Sequence, residues 1–247
     1  MQIAKSWKEV KLWQYQELCR SREIEGEFQK AIEQISILAE TTSDDPMFDD
    51  LSVDELFGLI EMVKFLRVPP KGNIKEVEDM QCKSMNSLTL GEFIDLEHYF
   101  QDPINNLHLI CAILFRRKRE DDWGNTQLEP YSYSIQERSE IFLDAPLESI
   151  YGIVESYYSF RNTFMDNYSP LFENPDNYEI DNENELDPEE IEELKREIEE
   201  DKKKAKWSWE SMIYNLSNGD ITKFDAIFNT SLVLVFNTLS MKKTLGI

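Results

Sequence analysis

The sequence predicts a mainly α-helical protein, a multi-helix bundle with at most one small β-hairpin. Motifs that start a helix recur along the chain, and the apolar residues after them are spaced three and four apart, as on one face of a helix. Only 8 Gly and 9 Pro occur among 247 residues. Hydrophobic residues make up 41% and charged residues 30%, a balance typical of a folded globular chain.

Two capping boxes place the starts of helices in the first half of the chain. In each, a hydroxyl can accept a hydrogen bond from the amide three residues later, while the glutamate there accepts one from the amide of the hydroxyl residue. Ser52 with Glu55 opens a helix that ends before Pro69, and Thr89 with Glu92 opens another. We expect helices to begin directly after both boxes.

The middle of the chain contains the most apolar segment. A helix over about 103–118 is apolar nearly all round, so we expect it to be the most buried element. The basic run Arg116–Arg119 lies where this helix should end and would complement its dipole. A third box, Ser134–Glu137, and the pair Ala145–Pro146 open two further helices, the second reaching Phe164.

Two stretches allow alternatives. Ser6–Glu9 could cap a helix over 7–22, or the chain could form a short strand over 7–10. Between residues 70 and 88 the helical pattern is weak, and Met80 and Cys82 alternate as in a short hairpin. One small sheet is therefore allowed here.

A composition break near residue 174 divides the chain. Residues 176–206 contain 14 acidic and 6 basic side chains, first as a polar linker and then as a charged helix. Hydrophobic residues return after this acidic helical bridge. The predicted organisation is a helical main domain over 1–173, an acidic linker and charged helix over 174–206, and a C-terminal helical unit over 207–247.

Charge and cysteine usage limit the partners and the compartment. The formal net charge of -23 repels phosphate backbones and anionic lipid heads, so we expect neither nucleic acid nor a membrane as partner. No run approaches the ~18 apolar residues that a membrane-spanning helix needs. Cys19, Cys82 and Cys111 are odd in number and widely spaced, which favours a reducing compartment.

A search for catalytic patterns leaves two alternatives to a binding role. Asp95 and His98 share one helix face, as in half of a carboxylate-bridged metal site. Glu92, Asp95 and Glu97 could pair as acid and base for glycoside cleavage, although close pairs are expected by chance among 49 acidic residues. Without a glycine loop for phosphate or a positioned nucleophile, the sequence predicts no enzyme, no cofactor and no metal.

Aromatic residues point to protein binding, because they cover a large area and keep a polar edge. Filling the core is the alternative for any one of them. The C-terminal unit is too small to be stable alone, so we expect it to dock on the first 170 residues or on a partner. The predicted partner-binding residues are Trp207, Trp209, Ile213, Phe224, Phe228 and Phe236.

Three segments resemble a known group of proteins. They are Trp7–Leu18, Leu88–Leu96 and, in the C-terminal unit, Trp207–Trp209 together with residues 213–224. On these segments the chain is similar to the tail assembly chaperones of bacteriophages, small acidic proteins encoded among tail and virion genes.

The resemblance implies a helical protein made late in infection that coats the tape measure protein before the tail tube polymerises. It therefore implies a chaperone that masks a helical client in the cytoplasm of the host cell. The alternative is a structural virion component at the baseplate or neck, or a packaged cargo protein. The sequence does not determine the oligomeric state.

Overall fold

A computed structural model describes residues 3–48, 50–121, 123–131, 135–171 and 208–246. The chain divides into two compact units: unit 1 comprises residues 1–85 and 95–161, and unit 2 comprises residues 86–94 and 162–247. Up to residue 171 the helices are α1 (Leu12–Arg20), α2 (Glu27–Leu38), α3 (Val53–Met62), α4 (Leu90–Tyr99), α5 (Leu107–Leu114), α6 (Ile135–Leu143), α7 (Leu147–Ile150) and α8 (Gly152–Asn167). The described C-terminal helices are α9 (Ser208–Leu216), α10 (Phe224–Phe228) and α11 (Leu232–Leu245).

The core of unit 1 is built around α5. Six of its eight residues are buried, among them Ile110 and Leu114, and the helix packs along α6. Phe115, directly after α5, contacts Phe142 of α6 with ring centroids 5.1 Å apart. The prediction that this segment is deeply buried is confirmed, but the helix spans 107–114 and not 103–118.

Helix starts follow the capping boxes where both residues are described. The amide of Glu55 donates to the Ser52 hydroxyl at 3.3 Å, and the amide of Ser52 donates to the Glu55 carboxylate at 2.9 Å. The amide of Thr89 likewise donates to Glu92 at 2.8 Å. Ser134 lies outside the described residues, although α6 begins directly after it. Of the two alternatives for residues 7–22, the short strand over 7–10 is wrong, because residues 7–9 form a turn. The helix predicted over 7–22 is present as α1, but it spans only Leu12–Arg20.

The small sheet in unit 1 has three antiparallel strands in the order β1 (Met80–Cys82), β2 (Phe115–Glu120), β3 (Thr126–Leu128). Cys82 pairs with Phe115, and Glu120 pairs with Thr126. The sheet therefore exceeds the predicted single hairpin, because the chain leaves α5 directly into β2.

The basic run Arg116–Arg119 lies on β2, and Arg116 also contacts the C-terminal end of α5. The Arg116 guanidinium is buried and donates to the carbonyl of Ala112, in the last turn of α5, at 2.9 Å. The other three cations are exposed and pair with acidic side chains of unit 1: Arg117 with Asp79, Lys118 with Glu76, and Arg119 with Glu129. The dipole interpretation holds for Arg116 only.

A break at Tyr151 separates α7 from α8, where the sequence predicts one continuous helix. The amides of Asn73 and Lys75 donate to the carbonyls of Glu148 and Ser149, both at 2.9 Å. A Cβ on Gly152 would lie only 2.9 Å from the carbonyl oxygen of Gly72, so the missing side chain permits this close approach.

Unit 2 joins the C-terminal helices to two earlier segments. The amide of Leu90 donates to the carbonyl of Thr230, and the amide of Leu232 donates to the carbonyl of Leu88, both at 2.9 Å. Residues 86–94 and 162–171, placed in the main domain by the sequence, therefore group with residues 208–246. The predicted acidic linker and charged helix over 174–206 lie outside the described residues.

The mainly α-helical fold class is confirmed. In the described part of the chain, no helix is both long enough and apolar enough to cross a membrane.

Candidate protein-binding surfaces of unit 2

The structure separates the six predicted partner-binding residues into different environments. Ile213 and Phe236 are each only 1% exposed and lie in the interior of unit 2. Trp209, Phe224 and Phe228 are half-buried, and Trp207 lies outside the described residues. In this conformation a partner could not reach Ile213 or Phe236, so these two serve packing.

An aromatic cluster occupies the interior of unit 2. The ring of Phe236 lies 4.9 Å from that of Phe164, 5.2 Å from Tyr168 and 6.4 Å from Phe93, measured between centroids. Trp209 meets Phe93 edge to face at 5.8 Å. Such edge-to-face pairs add to the gain from burial, because the positive ring edge meets the negative face.

Phe228 packs against the first turn of α4. A Cβ on Gly91 would lie 3.2 Å from Cδ1 of Phe228 and 3.3 Å from its carbonyl oxygen. Glycine at this position therefore allows α10 to approach α4 closely.

A tight turn after α9 fixes the position of Tyr214. Gly219 has a positive φ of 77° and its amide donates to the carbonyl of Tyr214 at 2.9 Å. A Cβ on Gly219 would lie 3.0 Å from the Tyr214 hydroxyl, so the tyrosine ring lies over the glycine. The Asp220 carboxylate then accepts from the amide of Thr222 at 3.1 Å and caps the next turn.

An open depression of about 550 Å³ lies between α9 and the turn that leads into α10; we call it the α9–α10 depression. Apolar atoms dominate its wall, and Ile221 and Tyr214 are both more than half exposed. Its lining residues are Glu210, Ser211, Tyr214, Asn215, Ile221 and Phe224. Of the six predicted residues, Phe224 alone is part of this lining.

Helix α11 carries apolar residues on opposite sides. Leu232, Val235 and Phe236 are buried, whereas Leu234, Met241 and Leu245 are each more than half exposed. The exposed three are spaced seven and four apart and therefore fall within about 40° of each other around the helix. We call them the α11 stripe.

The acidic residues considered for catalysis each have hydrogen-bond partners of their own. Glu92 caps α4, and Asp95 accepts a hydrogen bond from the Tyr131 hydroxyl. Glu97 accepts from the Tyr157 hydroxyl at 2.8 Å and from Nε of Arg161 at 2.7 Å. Each carboxylate thus has a local structural role.

The histidines do not assemble a metal site with these acids. His98 is exposed, and Nδ1 of His108 lies 3.3 Å from the side-chain amide of Gln16. Over the residues that the structure describes, no three His, Cys, Asp or Glu side chains are grouped so as to hold a metal ion.

Comparison with known proteins finds no match to this chain. No family model, no curated protein and no solved structure matches it. The geometry of unit 2 is therefore the basis for a functional proposal.

Sequence reasoning missed most of the exposed apolar residues of unit 2. The predicted residues are among the most hydrophobic of the unit, and such residues are usually buried in a folded protein. A usable signal exists in α11, where two apolar sets with helical spacing interleave on one helix, and only one set can face the core.

Proposed function

We propose that this protein is a non-enzymatic protein-binding factor whose unit 2 holds an amphipathic helix of a client protein. The α11 stripe is the observation that carries the proposal. Leu234, Met241 and Leu245 have the seven-and-four spacing with which helices pair in coiled coils. A stripe of this kind suits a second helix better than it suits water.

The size of the surface matches a reversible complex. The stripe spans about 16 Å along α11, at 1.5 Å of rise per residue. Covering three half-exposed side chains contributes about 1 kcal/mol each, so the α11 stripe supports a weak complex. A client would be released readily, as a chaperone requires.

The resemblance to tail assembly chaperones suggests a tape measure protein as the client. A tape measure protein has a long helical surface that must stay soluble until the tail tube forms around it. Masking that surface removes apolar area from water, while the net charge of -23 keeps the complex dispersed. The proposed site of action is the host cytoplasm.

Co-expression with a tape measure protein tests the proposal. The wild-type chain should increase the soluble fraction of the client, and a variant with Leu234→Glu and Met241→Glu should lose that effect because two charges interrupt the stripe. Both positions are exposed, so the variant should keep its thermal unfolding midpoint.

A matched control carries the same change in charge on unit 1. Gln101→Glu and Gln136→Glu, both exposed, should leave client solubility at the wild-type level. If the two variants behave alike, the α11 stripe is not the binding surface.

Purified virions distinguish the chaperone from a structural component. Mass spectrometry should find the chain absent from mature particles. A fixed copy number per particle would instead make it a baseplate, neck or cargo protein.

A further inference from the structure

A second apolar groove lies in unit 1, between α2 and the end of α3. It has a volume of about 460 Å³, and we call it the α2–α3 groove. Its apolar lining comprises Phe28, Ala31, Ile60, Val63 and Leu66. Phe28 is 61% exposed although it belongs to this lining, so a large aromatic ring faces solvent at the groove.

The charged residues that line this groove are mainly basic, whereas the chain as a whole is acidic. Lys30, Lys64 and Arg67 line it together with a single acidic residue, Glu27. Residues 63–75 contain four cations and no acid, in a chain whose net charge is -23. Positive charge is thus concentrated beside an apolar surface.

Neighbouring acids neutralise this charge only in part. Glu27 lies 3.6 Å from Nζ of Lys30 with its side chain 96% exposed, and Glu61 pairs with Lys64. No carboxylate in the described part of the chain lies within 4 Å of the Arg67 guanidinium. Because salt screens charges beyond about 8 Å, a ligand in the groove senses these nearby groups more than the distant acidic surface.

We propose that the α2–α3 groove binds an amphipathic helix of a separate protein whose apolar stripe is flanked by carboxylates. Apolar side chains of that helix contact Phe28, Ile60 and Leu66, and its glutamates or aspartates pair with Lys64 and Arg67. A second copy of this chain fits less well, because two bodies of charge -23 repel each other. The groove and the unit 2 surfaces are independent sites.

Two synthetic peptides provide the first test. Both have ~18 residues, enough for a stable helix, with the same leucine stripe. One carries glutamates beside the stripe and the other carries lysines. In fluorescence anisotropy with the full-length protein, the glutamate peptide should bind about tenfold more tightly than the lysine peptide, and added salt should reduce that ratio.

Matched variants then locate the site. Phe28→Ser should weaken binding of the glutamate peptide about tenfold. Phe57→Ser is the control, because Phe57 lies on α3, is 62% exposed and does not line the groove. Replacing Lys30, Lys64 and Arg67 with Gln should abolish the preference for glutamate, whereas the same replacement of Lys5, Lys8 and Arg22 should preserve it.

Three outcomes would overturn the inference. They are equal binding of the two peptides, equal effects of Phe28→Ser and Phe57→Ser, or a concentration-dependent dimer in sedimentation velocity that Phe28→Ser dissociates. The Leu234→Glu and Met241→Glu variant should bind the glutamate peptide normally. Failure here is therefore distinguishable from failure of the proposed client site in unit 2.

Discussion

Glu97 joins two side chains of α8 in unit 1. Its carboxylate accepts from Tyr157 and Arg161, and Tyr157 also stacks on Phe100 at 4.1 Å. Burial raises the pKa of the Tyr157 hydroxyl, and the neighbouring carboxylate raises it further. The three residues thus form one polar network beside the core.

Glu97→Gln should lower the free energy of unfolding by about 1–2 kcal/mol, because the charge-assisted bonds to Arg161 are lost. Urea denaturation measures the change. Glu148→Gln, which breaks the surface pair with Lys75, should lower the free energy of unfolding clearly less, because solvent screens an exposed pair. Equal losses in the two variants would mean that the Glu97 network contributes no more than a surface ion pair.

We expect His108 to make the stability of unit 1 depend on pH in the mildly acidic range. Burial lowers the pKa of its imidazole, and the nearby Arg20 guanidinium lowers it further. The unfolded chain therefore binds a proton at higher pH than the folded chain does. The resulting stability is present above the unfolded pKa of about 6.5 and is lost as pH falls toward the folded pKa, by up to about 1.4 kcal/mol per pH unit.

His108→Gln should flatten the pH dependence of the unfolding free energy between about pH 7 and pH 5.5. Urea titrations at several pH values give the slope. Gln101→Asn, at an exposed position and without a titrating group, is the control variant and should keep the wild-type slope. Identical slopes for wild type and His108→Gln would remove His108 as the cause.

Among the secondary structure elements, α3 is stabilised by the capping box of Ser52 and Glu55 at its N-terminus. Hydrogen bonds from Ser52 hold the pKa of the Glu55 carboxyl below its usual value. Because Ser52→Ala removes the cap, it should lower the thermal unfolding midpoint, whereas Ser52→Gly should lower it much less. Thermal unfolding compares the variants, and NMR titration should show the pKa of Glu55 rising in Ser52→Ala. An unchanged midpoint in Ser52→Ala would contradict a stabilising cap.

Local signals predict helix starts, but not what distant segments do to a helix. The box at Ser52 places the start of α3 correctly because both partners are three residues apart. Capping patterns do not predict α2, since its N-cap is Gly26, which offers no side-chain acceptor. The break at Tyr151 depends on amides near residue 73, which no local pattern around 151 reveals.

Long-range packing also decides which hydrophobic residues remain accessible. Phe236 was a candidate contact residue, yet its partners Phe93 and Phe164 are far away in the sequence and bury it. Leu234, two residues earlier, stays exposed on the other side of α11. The sequence thus predicts a helical unit rich in apolar residues, whereas only the fold distinguishes the core side of α11 from its surface side.

For the whole molecule, composition and topology give different divisions of the chain. The acidic stretch after residue 174 suggests a boundary there, because charge density is a local property. The compact units instead follow contacts, so residues 86–94 and 162–171 belong with the C-terminal helices. Tertiary packing of Phe93 and Phe164 is the physical reason.

Hydrogen exchange should reveal this division through one core substitution in each unit. Phe236→Ala removes a ring that contacts Phe93, Phe164 and Tyr168, and should destabilise unit 2 by about 3–5 kcal/mol. Amides of residues 86–94, 162–171 and 208–246 should then exchange faster, measured by mass spectrometry. Phe142→Ala, which removes the partner of Phe115 in unit 1, is the matched control and should accelerate the α5–α6 region more than α11. If both variants accelerate the same amides equally, the two units unfold as one.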